Sequence, residues 1–333
     1  MRDFLVDIDY EHFDNYFQNE IVPYLSESEA ERKKTNKLDK YIWPVVTPLF
    51  FLGLIIGALW EFDADSLLYS ILPENIVDAI IIVSTIALIF SICFFRFYDR
   101  VFFSKRKSVE AFLYNKLLSY IGDFRHEAKG SLFSSKNEIK SRIHDLYLFG
   151  KINNLYCYDS VYGVLNGKQI DICEIKLTPK EMIDDLLCKE YGGVFISSST
   201  DLNLSDFITI AKKDSRAKIK LNKDVTLFKT ENASFNKLFN VYTTNASQAK
   251  KILSQDFVKQ FLDAYYELGL SISCAFVNNK LYMLILNNKK IYKDWFSFEN
   301  CKKSYLDKSN YKGLLNDVLD VLKLVDTIQR IAK

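Results

Sequence analysis

Glycine, proline and histidine are scarce in this sequence of 333 residues. The chain holds 11 glycines, five prolines and three histidines and has no low-complexity tract, which excludes wholesale disorder. Its six cysteines form no CxxC pair, so the usual zinc-ligand spacing is missing, and neither a metal nor a cofactor is expected. We expect the cysteines, which are Cys93, Cys157, Cys173, Cys188, Cys274 and Cys301, to be reduced and mostly buried.

The common catalytic motifs are missing as well. The sequence contains no GxxxxGK[ST], GxGxxG, HExxH or GxSxG pattern. His144 and Asp145 are adjacent, but the surrounding pattern places them on the polar side of a helix. Asp159, Asp171 and Glu174 lie across a predicted hairpin and could meet as carboxylates, although solvation at a strand edge explains them equally well. An enzyme with a site built from such scattered residues stays open as an alternative.

Two long apolar runs are present instead. Residues 41–60, YIWPVVTPLFFLGLIIGALW, carry no charge, and a second apolar run lies within residues 76–98. The first run matches a hydrocarbon thickness of roughly 30 Å at about 1.5 Å rise per residue. We therefore predict a transmembrane hairpin with spans 41–60 and 76–98 and an acidic outer loop at 61–75. A pair of buried core helices is the alternative.

The charges that flank the two runs predict an orientation. Lys and Arg precede the first run and follow the second, whereas the loop between them carries acids and no base. The positive-inside rule then places both termini in the cytoplasm, as in a multi-pass protein of a bacterial inner (plasma) membrane. Gly53 and Gly57 form a GxxxG spacing that could pack against Ser84, Ala87 and Ser91 of the second span, or against another copy of the chain.

The rest of the chain predicts an α+β organisation. Residues 1–40 form a helical segment, residues 41–98 the hairpin and residues 99–333 a cytoplasmic α+β domain. Hairpin turns are predicted at Asn166-Gly167 and Asn278-Asn279. Helices are predicted from Thr178 onward, over Asn245–Leu268 and over Tyr311–Ile331.

Basic residues form two groups that suit an anionic surface. Residues 101–333 carry 36 Lys and Arg against 26 Asp and Glu. The candidate contacts are Arg96, Arg100, Lys105, Arg106 and Lys107, followed by Lys212, Lys213, Arg216, Lys218, Lys220 and Lys223. Anionic lipids of the bilayer are the expected partner. A solvated strand edge is the alternative for the second group, and nucleic acid is not expected because no aromatic residues are interleaved to stack bases.

Four stretches of the sequence form a recognisable series. They are FDNYFQNEIVPYLSESEAER (13–32), YDSVYGVLNGKQIDICEIKL (158–177), YGGVFISSS (191–199) and FNKLFNVYTTNASQAKKILSQDFVKQFLDAYYELG (235–269). Together they resemble a bacterial membrane family catalogued as domain of unknown function 3137. The chain departs from the family at Asn245, where its members usually have Asp, and in the stretch that follows YGGVF. The resemblance implies a bacterial inner-membrane protein and supplies no catalytic residues.

The function that we expect is therefore non-enzymatic. A membrane-anchored docking or scaffold module would act through its α+β domain on partner proteins, other copies of itself or the lipid surface. The alternatives are a membrane-tethered enzyme with an unrecognised site and an accessory subunit of a larger membrane complex.

Overall fold

The computed structural model describes residues 10–61, 73, 82–83, 85–86, 88–94, 96, 104–127, 136–180, 190–202, 204, 206–213, 219–287, 306 and 309–332. The chain divides into two compact units. The first, here called the sheet unit, contains Met1–Phe17, Leu113–Lys303 and Asp307–Lys333. The second, the helical unit, contains Gln18–Phe112 and Ser304–Leu306.

The described residues of the sheet unit form a nine-stranded sheet in which every pairing is antiparallel. The strand order is β1-β2-β3-β4-β9-β8-β5-β7-β6. The strands are β1 (Phe124–Glu127), β2 (Ile152–Leu165), β3 (Lys168–Pro179), β4 (Tyr191–Ser199), β5 (Ile208–Lys212), β6 (Thr226–Phe228), β7 (Phe239–Thr243), β8 (Ser271–Val277) and β9 (Lys280–Asn287).

Both predicted hairpin turns are confirmed. Asn166 and Gly167 have φ values of 50° and 78° and join β2 to β3. Asn278 and Asn279 have φ values of 48° and 57° and join β8 to β9. Two-residue turns with both central residues at positive φ match the twist of antiparallel strands, and asparagine and glycine tolerate that backbone best.

The helices are α1 (Tyr10–Tyr16), α2 (Val22–Glu61), α3 (Ser104–Ile121), α4 (Lys136–Asp145), α5 (Ala233–Leu238), α6 (Ala246–Ile252), α7 (Gln255–Leu268) and α8 (Ser309–Ile331), with a π-helical turn at Phe17–Ile21. The single helix predicted over Asn245–Leu268 is wrong, because the chain leaves the helix at Leu253 and Ser254 caps a new one. Its Oγ accepts a hydrogen bond from the amide of Phe257 at 3.2 Å. Gly269, at φ 61°, ends α7 as predicted.

The helix predicted from Thr178 onward also needs correction. Thr178 and Pro179 are the last residues of β3, where they face Asn154 and Ile152 of β2. They therefore extend a strand and do not cap a helix. Residues 181–189, which would have held the rest of that helix, lie outside the described residues.

The core of the sheet unit lies between the sheet and the helices packed on it. Phe235, Phe239, Phe257 and Phe261 join α5, β7 and α7 in one aromatic cluster, and each is at most 2% exposed. The side-chain amide of Gln329 in α8 donates to the hydroxyl of Ser198 at 2.8 Å, which fixes the helix to β4. The apolar stripe predicted for α8 is buried, at Leu315, Val318, Leu322 and Val325 among others.

The predicted transmembrane hairpin is wrong for the part of the chain that the structure describes. Among those residues, no helix combines the length and the apolar character that a membrane crossing needs. Residues 41–60 are not a separate element but the second half of α2, a 40-residue helix whose first half contains the charged stretch SESEAERKK. Pro44 and Pro48 lie inside this helix.

The remaining parts of that hairpin are described only in places. Residues 82–83, 85–86, 88–94 and 96 are helical, while the loop 61–75 is described only at Glu61 and Pro73. Gly53 and Gly57 lie in α2, Ser91 is buried, and Ser84 and Ala87 lie outside the described residues. In the helical unit, Tyr24 stacks on Phe112 with ring centroids 3.5 Å apart.

Candidate functional site

A groove lies in the sheet unit between the end of β6 and the junction of α6 and α7. Its cavity volume is about 870 Å³, within the range of roughly 300–1,000 Å³ that is usual for ligand pockets. We call it the lysine groove. It is lined by Phe228, Lys229, Thr230, Glu231, Asn232, Lys250, Leu253, Ser254, Gln255, Asp256, Val258 and Lys259.

Local hydrogen bonds fix both walls of the lysine groove. On one wall, the Asn232 side chain accepts from the amide of Phe235 at 2.9 Å and so caps α5. The side chain of Asn236 accepts from the amide of Thr230 at 3.0 Å, and its own amide group donates to the Thr230 carbonyl at 2.6 Å. The other wall begins at Ser254, whose hydroxyl caps α7. The groove is therefore held by caps and turns and needs no ligand to form.

The floor of the lysine groove is apolar and its rim is charged. Leu253 is 6% exposed and Val258 1% exposed. Lys229, Lys250 and Lys259 are exposed on the rim. This arrangement, with an apolar centre surrounded by polar residues, is typical of surfaces that bind other proteins.

The acids and the lysines of the rim differ in their partners. The side-chain amide of Gln255 donates to the carboxylate of Glu231 at 3.1 Å, and that of Gln260 donates to the carboxylate of Asp256 at 2.8 Å. Among the described residues, no hydrogen bond or ion pair holds the ammonium groups of the three lysines on the rim. With three lysines against the two acids Glu231 and Asp256, the groove lining carries a net charge of +1.

The hydroxyl groups that line the groove take part in local hydrogen bonds. Ser254 accepts from the amide of Phe257, and the hydroxyl of Thr230 donates to the Asn236 side chain at 3.0 Å.

Two of the lysines predicted to contact an anionic surface are engaged within the fold. The ammonium of Lys212 lies 5.4 Å from the ring centroid of Phe239 and 5.1 Å from that of Tyr265, and it donates to the Leu238 carbonyl at 3.4 Å. The ammonium of Lys213 donates to the Asn236 carbonyl. Cation–π contacts of this kind hold a half-buried lysine in place.

The other predicted basic residues are dispersed. Lys220 and Lys223 are exposed in the sheet unit, and Arg96 is exposed in the helical unit. The backbone of Lys105, Arg106 and Lys107 lies in α3, whereas Arg100, Arg216 and Lys218 lie outside the described residues. Contact with anionic lipid stays a prediction.

The structure separates two of the three candidate acids. Asp171 and Glu174 are three residues apart on β3, so their side chains point to opposite faces of the sheet. The carboxylate of Asp159 lies 3.7 Å from Nε2 of His126, and no sequence pattern predicts this contact. His144 is exposed on α4, 3.3 Å from Asp145. In the described part of the chain, no group of three or more His, Cys, Asp or Glu residues could hold a metal ion.

Comparisons with known proteins support the family resemblance over part of the chain. A family model described as "Protein of unknown function (DUF3137)" matches residues 189–330, a range that contains the whole lysine groove. No curated protein sequence is similar enough to match. The crystal structure of the mycobacterial trehalose monomycolate transport factor A, TtfA, is similar at 12% identity, over 66% of this chain and 96% of that chain, with a TM-score of 0.32.

Proposed function

We propose that the sheet unit is a docking module whose lysine groove binds an acidic segment of a partner protein. The observation that supports this most is the difference between the two charges of the rim. Both acids are held by glutamine amides, while the ammonium groups of Lys229, Lys250 and Lys259 have no partner among the described residues. An acidic segment would supply the missing carboxylates and could place an apolar side chain on Leu253 and Val258.

Simple electrostatics gives the size of the expected effect. An exposed pair of opposite charges contributes about 0.2–1 kcal/mol. Three such pairs would contribute roughly 0.6–3 kcal/mol, which is between about threefold and about 150-fold in the dissociation constant. Screening by salt weakens exposed pairs, since the Debye length falls from about 10 Å at 0.1 M salt to about 3 Å at 1 M. Binding should therefore weaken as salt is added.

The test is a fluorescence anisotropy titration of the full chain. The probe is a labelled peptide in which Glu and Asp alternate with Leu, and the reference peptide has Gln and Asn in place of the acids. The groove variant carries Lys229→Gln, Lys250→Gln and Lys259→Gln. The control variant carries Lys220→Gln, Lys223→Gln and Lys237→Gln, which remove the same charge from exposed lysines that do not line the groove.

The proposal requires that the acidic peptide bind the wild type and the control variant alike, and the groove variant several-fold to about a hundredfold more weakly. The uncharged reference peptide should bind all three chains equally weakly. If the groove and control variants lose affinity for the acidic peptide equally, net charge alone explains the binding and the proposal is overturned. Unchanged affinity in the groove variant would overturn it as well.

A further inference from the structure

Two cysteines of the sheet unit are neighbours on adjacent strands. Cys157 lies on β2 opposite Ile175, and Cys173 lies on β3 opposite Ser160. The register shifts between Cys157 and Ser160, which marks a β-bulge. Cys173 and Ile175 are two residues apart on β3 and so point to the same face of the hairpin. Cys157 packs against the core cluster that contains both of them, so its side chain lies on that face as well. The thiol of Cys173 donates to the Glu174 carbonyl at 3.5 Å, and Cys157 is its diagonal neighbour on the adjacent strand.

The two thiols differ in access to solvent. Cys173 is 2% exposed and belongs to the core, whereas Cys157 is only partly buried and lies at its margin. Lys136 is close to the same margin, with its ammonium 4.9 Å from the ring centroid of Tyr156. Cys157 is therefore the more accessible of the two residues, and Cys173 lies deeper in the core.

The surroundings favour the thiolate at Cys157 and the thiol at Cys173. The hydrogen bond from Cys173 lowers the pKa of Cys157, burial opposes that shift, and the positive charge of Lys136 supports it. The pKa of Cys173 is raised, first by its hydrogen bond to Cys157 and then by burial. A partly exposed thiolate beside a cation is the usual setting of a reactive cysteine.

We propose that Cys157 and Cys173 form an oxidant-sensitive dithiol, in which a hydroperoxide oxidises Cys157 and Cys173 then closes a disulfide. This inference does not depend on the lysine groove, because none of the residues that line the groove belongs to the β2–β3 hairpin. It assigns a modification site to a part of the chain outside the family match at residues 189–330.

The chemistry balances with one hydroperoxide for each disulfide. The Cys157 thiolate attacks one oxygen of the hydroperoxide and the O–O bond breaks, so Cys157 becomes a sulfenic acid. The hydroxide that leaves takes up a proton and becomes water. The sulfur of Cys173 then attacks the sulfenic sulfur, the S–O bond breaks, and the thiol proton leaves with the hydroxide as a second water. Two electrons pass from the two sulfurs to the peroxide. Once Cys157 is neutral, its charge no longer raises the pKa of Cys173.

The test is peptide mapping of the full chain after brief treatment with hydrogen peroxide under non-reducing conditions. In the wild type, the peptides that contain Cys157 and Cys173 should be joined, with the loss of two hydrogens. Cys274 is fully buried and its pKa is raised by that burial, so it should stay unmodified and serve as the internal control.

Variants separate the two steps. In Cys173→Ser the reaction should stop at the sulfenic acid of Cys157, which dimedone labels several-fold more than in the wild type. In Cys157→Ser neither product should form. Cys173→Ala repeats the measurement with an apolar residue, and circular dichroism checks that each variant is folded. The proposal is overturned if the peptides of the wild type stay separate after peroxide treatment, or if dimedone labels Cys157 equally in the wild type and in Cys173→Ser.

Discussion

Replacement of Gly193 by alanine tests the closest backbone approach in the centre of the sheet. Gly193 lies on β4 opposite Leu286 of β9. A Cβ atom at this position would stand 2.0 Å from the carbonyl oxygen of Ile285, a full 1.0 Å inside the 3.0 Å that real Cβ contacts respect. It would also lie 3.0 Å from the carbonyl carbon of Ile285 and from the Cα of Leu286. All three are backbone atoms, so no side chain can rotate away.

The magnitude follows from three contributions. Overpacking of a closely packed site costs about 1–3 kcal/mol. Moving β9 away weakens one or two ladder hydrogen bonds, each with a net contribution of about 0.5–1.5 kcal/mol. Alanine returns about 0.4–1 kcal/mol by restricting the unfolded chain. The free energy of unfolding should therefore fall by about 3 kcal/mol.

Gly313→Ala is the matched control. Gly313 is in α8, and nothing lies within 4 Å of the Cβ that alanine would add. Alanine favours a helix over glycine by about 0.5–1 kcal/mol, so this variant should be more stable than the wild type. Urea unfolding followed by circular dichroism measures both, and the midpoints should move in opposite directions. A Gly193→Ala chain within about 0.5 kcal/mol of the wild type, or two variants that move in the same direction, would refute the reasoning.

Two further substitutions have expected outcomes. Asn245→Asp keeps the oxygen that accepts from the Gln248 amide, but it replaces the amide group that donates to Asp206 at 3.1 Å by a second carboxylate. The free energy of unfolding, measured with urea at pH 7, should therefore fall by about 1–2 kcal/mol. The additional change Asp206→Asn should restore it. Burial raises the pKa of Asp171 above its ordinary 3.8, so the folded chain binds this proton more tightly than the unfolded chain. Asp171→Asn should therefore stabilise the protein at neutral pH. The gain in free energy of unfolding over the wild type should disappear as the pH falls to the ordinary pKa of 3.8. A gain that is the same at every pH would contradict this prediction.

Local signals were sufficient for much of the fold. The turns at Asn166-Gly167 and Asn278-Asn279 need positive φ at two successive residues, and these residue types supply it without help from the rest of the chain. The buried stripe of α8 follows from the helical period alone. The break at Ser254 could not be predicted in the same way, because the apolar spacing continues through it and only the capping hydrogen bond reveals the new helix.

The candidate site depends on contacts between distant parts of the chain. Lys229, Lys250 and Lys259 are isolated in the sequence and meet only because β6, α6 and α7 surround one groove. The contiguous run KKDSRAKIKLNK (212–223) predicts the anionic contact instead. Its first two lysines, however, contact Phe239, Tyr265 and backbone carbonyls within the fold. Contiguity in sequence does not report whether a charge already has a partner.

Two of the three wrong helix predictions have a shared cause. The composition of the apolar run 41–60 predicts a separate element, while the structure continues it from a charged segment as one helix. Thr178 and Pro179 satisfied a capping pattern but pair with β2, because sheet hydrogen bonds override a weak local preference. In the same way, the pairing of Cys157 with Cys173 depends on a strand register that the sequence leaves open.

Hydrogen exchange of the full chain, with and without the acidic peptide, tests the docking proposal most directly. Slowed exchange should be confined to residues 228–232 and 250–259, the two segments that line the lysine groove. It should disappear in the variant that carries Lys229→Gln, Lys250→Gln and Lys259→Gln. Protection that appears on β1, β2 or β3 while these two segments exchange unchanged would contradict the account.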